Sequence, residues 1–225
     1  MEVHDKITIV INSSSTYLEA LTHLIDSIKT DLRYKKYKFI VFISGHYELP
    51  DYVFETIDNI TYVKCNYSSI DLTSLVALSE LYSNDVENMY LVLLDTCKVG
   101  NKFFDIIEKM NFENITSIKI NKKFSNNIGF YSQALLNQNK TFLQSIKRNE
   151  KIDVDFKKLI SSFEDIIFKN DENNVLLDDY DDWQYTGPTD YYNTGTMRIV
   201  EYYPNLDLYR IKANWGWWGN WSITI

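Results

Sequence analysis

The chain has 225 residues, 45% hydrophobic and 24% charged, enough to bury one substantial core with an appendage. Its net charge of −8 argues against nucleic acid as a partner, and its seven glycines and three prolines exclude collagen-like and low-complexity architectures. No apolar run reaches the ~20 residues of a membrane span and the amino terminus lacks a secretory pattern, so a cytoplasmic protein with Cys65 and Cys97 as free thiols is expected.

Lys6 to Asn12 is rich in β-branched residues and predicts a strand, followed by Ser13, Ser14, Ser15 and Thr16 as a helix start. From Tyr17 to Ile28, apolar residues recur at Leu18, Leu21, Leu24, Ile25 and Ile28, the stripe of an amphipathic helix. Lys38 to Ile43, closed by Ser44 and Gly45, predicts a second strand. Ile60 to Cys65, closed by Asn66, predicts a third, and Leu72 to Tyr82 a helix. The clearest segment is Met89 to Leu94, an unbroken apolar run that stops at Asp95. Such a run reads as a strand buried on both faces. A helix is expected over Lys102 to Met110, a fifth strand over Ser117 to Ile120, and helices over Gln133 to Arg148 and Phe156 to Phe168. Strands alternating with helices predict an α/β fold, with a mostly parallel central sheet and helices on both faces.

Beyond residue 170 the composition shifts. The acidic stretch around Asp178, Asp179, Asp181 and Asp182 reads as a solvated linker. Strands are expected over Arg198 to Tyr203 and Leu208 to Lys212, before an aromatic terminus holding Trp215, Trp217, Trp218 and Trp221. The expected organisation is a core over residues 1–170, with residues 171–225 as a linker and carboxy-terminal aromatic arm packing on it.

Ligands of open α/β sheets sit at the carboxyl ends of the strands, which gathers Asn12, Gly45, Asn66 and Asp95 on one expected edge. The usual signatures of that edge are absent. The turn after the first strand has no glycine, so there is no G-x-G-x-x-G, and neither G-x-x-x-x-G-K-[ST] nor G-x-S-x-G occurs. Cys–His zinc spacing is missing too.

Four segments, in order, resemble GT-A-fold nucleotide-sugar glycosyltransferases of the family-2 type. Ile7 to Ser14 resembles the first strand and nucleobase loop. Val63 to Asp71, followed by Leu75 to Leu78, looks like the next nucleotide-contacting segment. Leu93 to Gly100, with Phe103 and Phe104, resembles the D-x-D strand end and its helix, and Asn126 to Ser132 the loop that approaches the transferred sugar. The similarity spans roughly residues 6–170. It implies an inverting glycosyltransferase that moves a sugar from a nucleoside diphosphate donor, such as a UDP-sugar, to a carbohydrate or glycoconjugate acceptor. Donor contacts would come from Asn12, Ser13, Ser14, Gly45, Asn66, Asp71, Asp95 and Lys98, with Asp95 as ligand of a divalent cation, Mn²⁺ or Mg²⁺. The general base would be Asp165 or its neighbour Glu164. On the acceptor side stand Asn127 and Gly129, with Tyr191 as a candidate lining residue and Trp215 because indole faces suit pyranose rings.

One position departs from the pattern. Cys97 stands where the second Asp of D-x-D is expected, and a thiolate suits oxygen-seeking cations poorly. Either Asp95 holds the metal with waters and phosphate oxygens, or the enzyme is metal-independent and Lys98, Lys122 or Lys123 supplies the charge. Two other readings compete. One is a non-catalytic carbohydrate-binding or interaction protein with the tryptophans as its surface. The other is a sugar-1-phosphate nucleotidyltransferase, whose G-G-x-G-T-R loop is not matched by Asn12 to Ser15.

Overall fold

A computed structural model describes residues 3–121, 128–147, 174–178, 184–185, 189–192 and 197–213. After a single turn α1 (Val3–Lys6), strand β1 (Ile7–Ser14) runs buried from Ile7 to Ser13. It is flanked by β2 (Lys38–Ser44) and β5 (Met89–Leu94), both parallel to it. Side chains alternate across a strand, so β1 feeds two layers. Ile7, Ile9 and Ile11 pack on helix α2 (Leu18–Lys29) through Leu21, Leu24, Ile25 and Ile28. Val10 joins the opposite layer, where α3 (Thr73–Leu81), α5 (Gln133–Gln138) and α6 (Lys140–Ser145) bury Leu75, Leu78, Leu136 and Leu143. Of the expected α2 stripe only Leu18 fails to bury, at 49% exposure.

The remaining strands of this sheet are β3 (Tyr52–Ile57), β4 (Ile60–Cys65), β7 (Ser117–Asn121), β8 (Gly129–Ser132) and β9 (Asn174–Asp178). Their order is β3-β4-β2-β1-β5-β8-β7-β9. Pairing is parallel from β4 through β5 and between β7 and β9, while β3 and β8 run against their neighbours. The fold is therefore α/β, a mixed and mostly parallel sheet with helices on both faces, as expected.

Several boundaries move for physical reasons. β3 has little burial to pattern it, being an edge strand; Asp58 and Asn59, both at positive φ, turn it into β4. The helix expected over Gln133 to Arg148 breaks at Asn139, whose side chain donates to the Leu135 carbonyl at 2.9 Å. The helix after Lys102 shortens to α4 (Phe103–Ile107). Part of the acidic stretch is strand, with Asp178 ending β9 beside Asn121. The expected helix Phe156 to Phe168 lies outside the described residues.

A second, antiparallel sheet has the order β10-β11-β12-β6, built from β6 (Cys97–Val99), β10 (Gln184–Tyr185), β11 (Arg198–Tyr203) and β12 (Leu208–Ala213). Its first strand follows directly on Asp95 and Thr96, which brings this sheet to the carboxyl edge of the first. The Ile211 N–H donates to the Thr96 carbonyl at 2.7 Å and the Gly100 N–H to the Asp207 carbonyl at 2.7 Å. Val200 and Ile211 pack with Tyr192 against Ala20 of α2. Among the described residues, no helix is long and apolar enough to cross a membrane.

Candidate functional site

After β1 the chain turns to one side, building β2 and β4, and returns as β5 on the other. The loops leaving β1 and β5 diverge, and the crevice between them is where such sheets take ligands. Asn12, Gly45, Asn66 and Asp95 lie at or just past the ends of four parallel strands, on one edge.

Asp95 bridges the divergence. Its N–H donates to the Asn12 carbonyl at 3.0 Å, and the Ser13 hydroxyl donates to its Oδ2 at 2.9 Å. The side chain is 7% exposed. Burial pushes its carboxyl up to about 7; the Ser13 hydroxyl opposes that rise, the charge of Asp71 adds to it, and the N–H groups of Ser14 and Thr96 also oppose it. Asp71 is partly open to solvent, yet it is sunk deeply enough that burial pushes it up to about 6, against the pull of the Arg210 guanidinium. Two carboxyls pushed toward neutrality at this edge make it the candidate site.

Asn12 works behind them. Its Nδ2 donates to the Ile70 carbonyl at 3.1 Å and its Oδ1 accepts the Ser74 N–H at 2.8 Å. Both ends of the amide are thus spent on the turn that presents Asp71. Ile70 sits in that turn at φ 55°, a conformation costly for a β-branched residue and one that clusters at functional sites. Asn12 therefore positions Asp71 through the backbone.

The other candidates separate. Ser14 shares a hydrogen bond with Thr16 at 3.1 Å. Gly45, at φ 90°, donates its N–H to the Tyr67 carbonyl at 3.1 Å, and a Cβ there would meet Ser15 Oγ at 2.9 Å. Asn66 donates to Asp51 at 3.2 Å, and its buried Oδ1 has no partner among the described residues. Lys98 is exposed, on the face of β6 opposite to Cys97 and Val99. Gly129 lies within the sheet, paired to Val92 and Lys119, and a Cβ there would run into the Ile118 carbonyl oxygen. Glu164, Asp165, Asn127, Trp215, Lys122 and Lys123 lie outside the described residues.

Cys97 points into the core, 1% exposed and clustered with Val99 and Phe103; burial pushes its thiol up to about 12. A neutral, core-facing thiol is no partner for Mn²⁺ or Mg²⁺. Among the described residues, no three His, Cys, Asp or Glu side chains converge as a metal set. Asp95, with Asp71 as its neighbour, does not amount to the carboxylate pair of a full D-x-D centre.

Two further residues stand near this edge, Arg210 on β12 and Tyr192 in the turn ahead of β11. Arg210 lies opposite Cys97 on one side and Glu201 on the other, 8% exposed. Tyr192 is 6% exposed beneath the Arg198 guanidinium, 5.1 Å from ring centre, and burial raises its phenol, with Asp95 and Cys97 among the charges it feels. Tyr191, the expected lining residue, is partly buried and packs edge-on against Tyr192 at 5.0 Å. The signal for Arg210 is present in the alternation of Leu208, Arg210 and Lys212, which puts an arginine in register with a buried leucine.

Comparison with protein-family models, curated proteins and solved structures found no match.

Proposed function

We propose that the chain is a GT-A-like glycosyltransferase that transfers a sugar from a nucleoside diphosphate donor to a carbohydrate or glycoconjugate acceptor. The observation that carries this reading is the buried Asp95 carboxyl, held by Ser13 across the β1–β5 divergence with Asp71 beside it. Carboxylates in this position accept hydrogen bonds from sugar or ribose hydroxyls, and a bound hydroxyl favours the ionised form that burial disfavours. Transfer breaks the bond between the sugar's anomeric carbon and the diphosphate oxygen, which keeps the electron pair. The acceptor oxygen attacks that carbon and gives its proton to a carboxylate base, the role proposed for Asp165 or Glu164.

The test is hydrolysis of a panel of nucleoside diphosphate sugars by wild type and Asp95→Ala. The variant should lose at least 100-fold in turnover and keep a cooperative melt, the pattern of lost transition-state stabilisation. Wild-type hydrolysis by Asp95→Ala removes this residue from the mechanism. Saccharide binding with no nucleotide binding supports the non-catalytic alternative instead.

A further inference from the structure

We infer that Arg210 forms the subsite that binds the diphosphate of the donor, supplying the charge that an incomplete D-x-D cannot recruit as metal. The inference rests on the nucleotide-sugar reading of the same crevice.

Arg210 Nε and Nη1 are buried and have no hydrogen-bond partner among the described residues. Buried donors without partners are rare because each forfeits its hydration, so two of them on one guanidinium ask for a ligand. Glu201 does not satisfy Arg210. Its Oε2 lies 3.6 Å from Nη1, outside hydrogen-bond reach, and accepts the Tyr203 hydroxyl at 3.2 Å, while its Oε1 takes Lys212 Nζ at 3.0 Å. That ion pair and a hydrogen bond with the Tyr203 hydroxyl orient the guanidinium, while Nε and Nη1 stay without a hydrogen-bond partner.

The register sets the location. β12 pairs with β6 so that Arg210 stands opposite Cys97, two positions past Asp95, and its charge reaches Asp71. A donor with hydroxyls on Asp95 and Asp71 would carry its phosphates toward this guanidinium. The unpartnered donors suit acidic oxygens, because a planar fork pairs with two phosphate oxygens at once. Positive charge fixed there stabilises the negative charge that grows on the departing diphosphate. Lys98, turned to solvent on the other face of β6, is less suited to the task.

Calorimetry in EDTA with pyrophosphate, UDP and uridine tests the subsite. Wild type should bind pyrophosphate, and UDP more tightly than uridine. Arg210→Gln should weaken pyrophosphate and UDP at least tenfold and leave uridine unchanged; Arg210→Lys should fall between. No pyrophosphate binding by wild type, or equal binding by Arg210→Gln, overturns the subsite; UDP bound equally by both leaves the donor reading standing without it. Arg210-dependent pyrophosphate binding with no binding of UDP or other nucleoside diphosphates keeps the subsite and removes the donor reading. Should Arg210→Gln not fold, a wild-type crystal soaked in pyrophosphate decides. Phosphate oxygens on Nε or Nη1 uphold the subsite, and density elsewhere or none overturns it.

Discussion

Asp95 sits where burial and ionisation pull in opposite directions. An isolated carboxyl has a pKa of 3.8, whereas this one, folded, is pushed up to about 7. The folded state therefore holds more protons than the unfolded chain between those values. Stability falls as pH rises through that window, and the penalty is complete above pH 7, at about 4 kcal/mol or less. Asp95→Asn removes the charge while its amide oxygen can still accept the Ser13 hydroxyl. The variant should be more stable than wild type at pH 8 by about 1–3 kcal/mol, the gap closing toward pH 4, and it should lose donor turnover. Urea denaturation at several pH values reads this directly; parallel stability curves for the two proteins would mean that Asp95 titrates normally. Its position at the end of an apolar run was legible in the sequence. Its hydrogen bond from Ser13 was not, because that contact spans the β1–β5 divergence.

Elements were legible in proportion to how far burial patterns them. β5 has its expected bounds because polar residues bracket an apolar run, and β4 has its own because Asn59 and Asn66 bracket a partly buried β-prone segment. β3 lacks that signal, since its solvent-facing edge position needs no apolar alternation. β8 falls where the sequence suggests a loop near the transferred sugar, because it is only four residues long and opens with Gly129. Its glycine serves close approach: the β5–β8–β7 ladder brings the Ile118 carbonyl to where a Cβ would stand. Gly129→Ala should lower stability by about 1–3 kcal/mol, because the obstacle is backbone and cannot rotate away. Thermal melting checks this, and an unchanged midpoint would show that β7 and β8 lie farther apart. The strand carrying Asp95 is a member of the same ladder, so weakened donor binding should accompany the loss.

At the scale of the molecule, the two cysteines report on opposite layers. Cys65 is buried with α3, α5 and α6, and Cys97 with α2 and the second sheet. Burial pushes both thiols up to about 12, so a thiol reagent at pH 8 should reach them only through opening of the fold. Both should label with one rate that tracks urea unfolding; faster labelling of Cys97 would show the second sheet opening by itself. The sequence by itself determined the α/β alternation, the buried strands and the ligand edge with Asp95 on it. Periodicity, strand length and the position of a polar stop are local properties, written in neighbouring residues. Tertiary structure alone decided that Cys97 faces the core, that Asn12 braces the Ile70–Asp71 turn, and that Arg210 stands opposite Cys97. Each of these depends on the register between segments far apart in the chain, and a shift of one residue in that pairing would turn the same side chain to the opposite face.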